Sequence, residues 1–172
     1  MSVENVHAVG RACAAWGEAD MSILREIYAP DVAAEGGALW PEGSGRVQGR
    51  EAIIEAFEKL IAAFEHSEVI PESLIEAEDL VIVSMLWRGV FQGSHAAIEQ
   101  RLIGAFHFRD GLIVFIAWHA ELEPALDAAG LPRSALDRLV PFADALAGAP
   151  TPHASARAKA PRERRGDTGA QT

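Results

Sequence analysis

The chain carries six histidines, 25 carboxylates and one cysteine among 172 residues, and what chemistry they can do depends on which of them share a face. His119 and Glu121 stand two apart in a stretch rich in Val, Ile, Phe and Trp. On a strand such residues point the same way, an acceptable geometry for an imidazole oriented by a carboxylate. Trp118 then points to the opposite face, so the pair is expected on the outer side of a sheet, in a structural role. His107 and Arg109 fall on that outer side by the same count. Glu99 and Arg101 also share a face and read as a solvated ion pair. Gln100 points instead with Gly104 and Phe106 and is a candidate for orienting a ligand by hydrogen bond. Cys13 sits on an apolar helical stripe with only Arg11 as a nearby cation, so it reads as a small buried residue and not as a nucleophile. One cysteine makes neither an internal disulfide nor a CxxC site, and no metal or cofactor is expected. The glycine-rich segment 36–49 matches neither the Walker spacing nor the dinucleotide fingerprint, so its glycines read as loop freedom.

The elements that must position these residues follow from periodicity. Val3, Val6, Val9, Cys13 and Trp16 put one apolar stripe on a helix over 3–18. Asp20 or Ser22 caps a short second helix carrying Ile23, Leu24, Ile27 and Tyr28, which Pro30 ends. Residues 31–35 form a short strand, segment 36–49 a loop, and 50–66 a third helix with Ile53, Ile54, Phe57, Leu60, Ile61 and Phe64 on its apolar face. From residue 67 the period changes to that of strands: 69–78, 80–92, 97–109 and 112–121, joined by hairpins, of which Asp110-Gly111 is the strongest turn signal. Helical patterns return over 123–129, ended by Gly130, and over 132–146. Helices followed by an antiparallel meander predict an α+β domain in which a curved sheet wraps around helices.

Composition excludes several classes of partner. Residues 1–150 hold 10 Lys/Arg against 23 Asp/Glu, whereas residues 151–172 hold 5 against 2. So acidic a body repels phosphate backbones and anionic surfaces, and neither nucleic acid nor a membrane is an expected partner. No apolar run is long enough to span a bilayer, no secretory leader is evident, and a cytoplasmic setting is expected. The segment 149–172, rich in Ala, Pro, Arg and Thr, is expected to be a disordered basic tail. Residues 1–131 are read as one domain and 132–148 as a C-terminal helical extension.

Several strings, in order, carry a resemblance: "WGEAD" after the first helix, "IYAPDV" at the second helix and strand, "GREAI" opening the third helix, "FHFRDGLIV" at the last hairpin and "ALDAAGL" closing the domain. Over residues 5–131 the chain resembles the nuclear transport factor 2-like superfamily, in particular its SnoaL-like members. The resemblance implies a cone-shaped α+β barrel with a pocket between helices and concave sheet, often a homodimer packed through the sheet. Steroid isomerases, epoxide hydrolases, polyketide cyclases and dehydratases share this fold with non-catalytic partners, so the site must decide. The ketosteroid isomerase base, tyrosine and protonated carboxyl fall on Gly36, Ala12 and Gly104. The aspartate–arginine–aspartate set of limonene-epoxide hydrolases falls near Trp87, Met85 and Trp118. Neither catalytic set is retained.

What stands there instead is apolar. Met85 and Trp87 share a face, as do Phe106 with Gly104 and Ile116 with Trp118. With Trp16 and Tyr28 from the helices, they form a cone interior suited to a flat or bulky apolar ligand, or one that these side chains simply fill. Trp40, on the glycine-rich segment, closes over such a ligand or plugs one end of the barrel. Glu35, one residue before the isomerase-base position, is the acid–base candidate: a carboxylate stripped of water by tryptophan neighbours. The functional expectation is a protein that binds a small hydrophobic metabolite of polyketide, terpenoid or steroid type, with proton-transfer chemistry (cyclisation, isomerisation or dehydration) if it acts on it. The alternative is a non-catalytic dimer with a filled cone, acting as an interaction module. A cavity of roughly a few hundred cubic ångströms between Trp16, Trp87 and Trp118 marks the first; interlocked indoles with nothing larger than a water between them mark the second.

Overall fold

The computed structural model describes residues 3–36 and 45–148. Trp40 and the 149–172 segment lie outside the described residues.

Helix α1 (Val3–Glu18) buries Val6, Val9, Cys13 and Trp16, the stripe read from the sequence. Asp20 then caps a single turn of 3-10 helix (Met21–Ile23), its carboxylate accepting from the Ser22 N–H at 2.9 Å, and the chain runs on into α2 (Leu24–Ile27). The helix stops before Tyr28, which opens strand β1 (Tyr28–Glu35). The strand thus starts three residues earlier than the sequence predicts, and Pro30 lies within it. A further strand, β2 (Arg46–Gln48), pairs antiparallel with the end of β1 inside what reads as loop. Helix α3 (Arg50–Ile61) follows and presents Ile53, Ile54 and Phe57 to the core.

The third helix is expected to reach residue 66 but stops at Ile61, because Phe64 is claimed by strand β3 (Phe64–Ala77). Pairing with β4 (Leu80–Phe91) supplies the reason: Phe64 stands opposite Phe91, stacked on it at 4.4 Å between ring centroids, and meets Trp87 edge-on. A strand of β4's length gains ladder hydrogen bonds and aromatic pairs that outweigh one more helical turn. Strands β5 (Ala97–Arg109) and β6 (Leu112–His119) close the meander. Asp110 and Gly111, both at positive φ (+53° and +77°), form the two-residue turn between them.

The sheet order is β2-β1-β6-β5-β4-β3, with a two-residue strand β7 (Val140–Pro141) on the far edge of β3. All pairs are antiparallel except β1 with β6. The sheet curves around α1 and α3 but does not close, since β2 and β7 are its two separate ends. Its concave face holds the larger core, with Val81, Val83, Met85, Trp87, Leu102 and Phe106 packed under the helices.

The convex face is covered as well, by the chain itself. Ile75, Ile82 and Ile103 are at most 2% exposed there, packed against Ala125 and Leu126 of α4 (Leu122–Ala128) and against Ala135. The single C-terminal helix expected over 132–146 is instead a 3-10 turn (Arg133–Arg138), β7 and a short helix α5 (Phe142–Ala147). Pairing of Val140 and Pro141 with β3 breaks the helical pattern and carries the chain round the sheet edge. Phe142 then packs over Gly10 of α1. No helix among the described residues is long and apolar enough to cross a membrane.

Candidate functional site

Strand alternation brings Met85 and Trp87 of β4, Leu102 and Phe106 of β5 and Trp118 of β6 to the concave face, where Trp16 of α1 and Tyr28 meet them. These residues, with Ala12, Cys13, Met21, Leu24, Phe57 and Val69, wall a cavity of about 30 Å³. That is room for one or two water molecules. Trp16 packs edge-on against Trp87 at 6.0 Å and against Phe57 at 5.3 Å, while Phe106 meets Trp118 edge-on at 5.8 Å. As it stands, the cone is nearly filled.

A polar clamp sets two of the indoles. The N–H groups of Trp16 and Trp87 both donate to the buried hydroxyl oxygen of Ser67 on β3, at 2.9 and 2.8 Å. Ser67 was not a candidate in the sequence; its signal is a lone small polar residue in an inward strand register facing two indoles. The Cys13 thiol donates to the Met85 sulfur at 3.7 Å, and burial pushes its pKa up to about 12, so it is neither thiolate nor nucleophile at neutral pH. Burial likewise raises the Tyr28 phenol above its ordinary value.

Of the three isomerase positions, the two that would hold carboxyl groups, Gly104 and Gly36, are crowded by their neighbours. At Gly104 a side-chain carbon would lie 2.7 Å from the Phe106 ring and 2.9 Å from the Met85 methyl, which fold over the glycine. At Gly36, φ is +128° and a side-chain carbon would lie 2.3 Å from the Trp118 carbonyl oxygen. Neither position can carry a carboxylate in this structure.

Glu35 is not in the cone. It pairs with Ala117 of β6, which pairs with Ala105 of β5, and this row belongs to the convex face. There it forms an ion pair with Arg46 of β2, a partner one hairpin away that sequence spacing alone does not single out. The one-residue offset between Glu35 and Gly36 decides this, since a single step along a strand reverses the face. Gln100 has the inward register expected of it, opposite Trp87, but lies past the cavity's end and is exposed. Arg101 of β5 pairs with Glu72 at 3.0 Å, not with Glu99, because the long guanidinium side chain reaches β3 across the intervening β4.

Of the residues expected on the outer face, His107 and His119 meet there, while Arg109 pairs instead with Asp31 at 3.1 Å. Glu35, Arg46, His107, Phe115 and His119 line a groove of about 620 Å³ floored by Ala105, Ala117 and the alanines of α4. Glu121 lies outside it, exposed at the start of α4. Burial lowers the pKa of both His107 and His119, because desolvation disfavours the imidazolium. The folded state therefore resists protonation that the unfolded chain accepts. The stability these imidazoles contribute is complete above about pH 6.5, the ordinary imidazole value, and is lost as pH falls from there toward their lower folded values. Melting temperature should drop with acidification below pH 6.5. A His107→Gln/His119→Gln variant should show a flatter profile in that window; an unchanged slope would remove these residues from the effect.

The SnoaL-like domain family profile matches residues 9–116. No curated protein matches the chain. Similar solved structures include a protein of ketosteroid isomerase-like fold from Catenulispora acidiphila, in complex with trimethylamine, at 22% identity over 73% of this chain and 93% of that one, TM-score 0.59. A protein of Jannaschia sp. designated a SnoaL-like polyketide cyclase is similar at 22% identity, covering 75% and 93%, TM-score 0.58. An LEH-like epoxide hydrolase of M. tuberculosis is similar at 15% identity, covering 69% and 83%, TM-score 0.57. At these identities the likeness is one of fold.

Proposed function

The chain belongs to the SnoaL-like domain family, and from that premise we propose that it binds a small hydrophobic molecule in the cone, without an acid–base residue of the cone wall. The lining carries this reading: among the described residues it contains no Asp, Glu, His, Lys or Arg, and its side-chain nitrogen and oxygen atoms belong to Tyr28 and three indoles. Such a wall gains roughly 25 cal/mol for each Å² of apolar surface it takes from water. Polyketide, terpenoid and steroid bodies suit the rings and thioethers, and the likeness to a designated polyketide cyclase supports the first of these. Glu35 takes no part, because it faces the other side of the sheet; Glu35→Gln should leave binding unchanged.

One observation favours a second reading. The cavity holds about 30 Å³, far short of a metabolite, so an occupant must displace lining side chains, whereas a permanently filled cone would serve as a non-catalytic interaction module. Native mass spectrometry of freshly purified full-length protein, with analysis of what dissociates on denaturation, separates the two. A stoichiometric lipophilic mass is expected under binding. A clean spectrum, together with tryptophan fluorescence unresponsive to steroids, terpenoids and aromatic polyketides, would favour the filled cone. The same spectrum counts chain copies; a homodimer packed through the sheet has to accommodate α4, which already lies on the convex face.

A further inference from the structure

The hydrogen-bond donors of the cone wall divide unevenly. Trp16 and Trp87 give their N–H groups to Ser67, and the Cys13 thiol gives its proton to Met85. The Trp118 N–H is buried and has no partner. A buried donor without an acceptor is an uncommon and costly arrangement, and a partner for it is a specific gain. Trp118 is also the one residue among those described that lines both the inner cavity and the 620 Å³ convex-side groove. Its cross-strand neighbour is Gly104, and its ring contact there is the edge-on Phe106 at 5.8 Å. Two indoles of the wall are thus clamped by Ser67, and the third, Trp118, is not.

We propose that the Trp118 indole N–H is the donor that selects the ligand of the cone, and that this ligand carries a hydrogen-bond acceptor, a ketone or ether oxygen, on an otherwise apolar body. The proposal rests on the cone being a binding cavity. On binding, the N–H exchanges its partnerless position for the ligand oxygen. The Tyr28 phenol stands in the same wall, on β1, but does not line the groove.

Two bicyclic probes of nearly equal shape test this: 1-tetralone, which has a carbonyl, and tetralin, which does not. Each is titrated into full-length protein with ¹⁵N-labelled tryptophan while the indole N–H resonances are followed, Trp118 being assigned by its disappearance in Trp118→Phe. Tetralone should bind about tenfold more tightly than tetralin, the ratio expected for one relieved donor, and should move the Trp118 resonance downfield. In Trp118→Phe the two probes should bind alike, with tetralin affinity retained. Equal binding of both probes to the unaltered protein, or a tetralone preference that survives Trp118→Phe, would overturn the proposal and leave the binding cavity standing. Binding of neither probe would overturn both.

Discussion

Ser67→Ala should lower the free energy of unfolding by about 2–6 kcal/mol, because it strands two buried indole N–H groups at once and each orphaned donor costs about 1–3 kcal/mol. Trp16 and Trp87 are each only 6% exposed, so water cannot take the place of the hydroxyl without entering the core. Denaturant unfolding followed by circular dichroism measures the change. The same substitution in a Trp16→Phe/Trp87→Phe background should cost little, since no donor is then left without an acceptor, and this comparison isolates the clamp from the loss of packing. A cost below about 0.5 kcal/mol in the unaltered protein would show that the clamp contributes nothing to the cone.

The two empty catalytic positions should respond very differently to a methyl group. Gly36→Ala forces a carbon to within 2.3 Å of the Trp118 carbonyl oxygen at φ +128°. Neither the backbone of β6 nor an L-residue at that angle can yield cheaply, so a loss of about 3 kcal/mol or more is expected. Gly104→Ala meets the ends of side chains, the Phe106 ring edge at 2.7 Å and the Met85 methyl at 2.9 Å. A thioether moves at small cost, and about 1 kcal/mol is expected. Parallel thermal melts of the two variants measure the difference; equal losses would mean that the Trp118 backbone gives way as readily as a methionine.

Much of the fold is legible along the chain because it is written in local signals. The stripe of α1, the Asp20 cap, the Asp110-Gly111 turn and the bounds of β5 depend on neighbours a few residues away, and the structure has them where the sequence puts them. The errors fall where distant partners compete for a segment. Phe64 has the spacing of a helix but belongs to β3, and residues 132–146 have an apolar helical pattern that β7 interrupts. In both places, strand pairing with a residue far away in sequence outweighs local preference.

The site divides along the same line. Strand alternation alone puts Met85, Trp87, Phe106 and Trp118 on one face and His107 and His119 on the other, since that face is fixed by residue parity. Parity also gives Gln100 its register, but how far the cavity extends along the strand depends on where the helices stop covering it, and Gln100 lies beyond that point. Whether Glu35 or Gly36 faces inward turns on the pairing of β1 with β6, a contact between chain segments some eighty residues apart. The volume left inside the cone is likewise set by how side chains from nine elements interlock, and by a serine whose hydroxyl two indoles happen to share. Residue types made the cone greasy and stripped it of the known catalytic groups; close packing, which no single segment encodes, made it narrow.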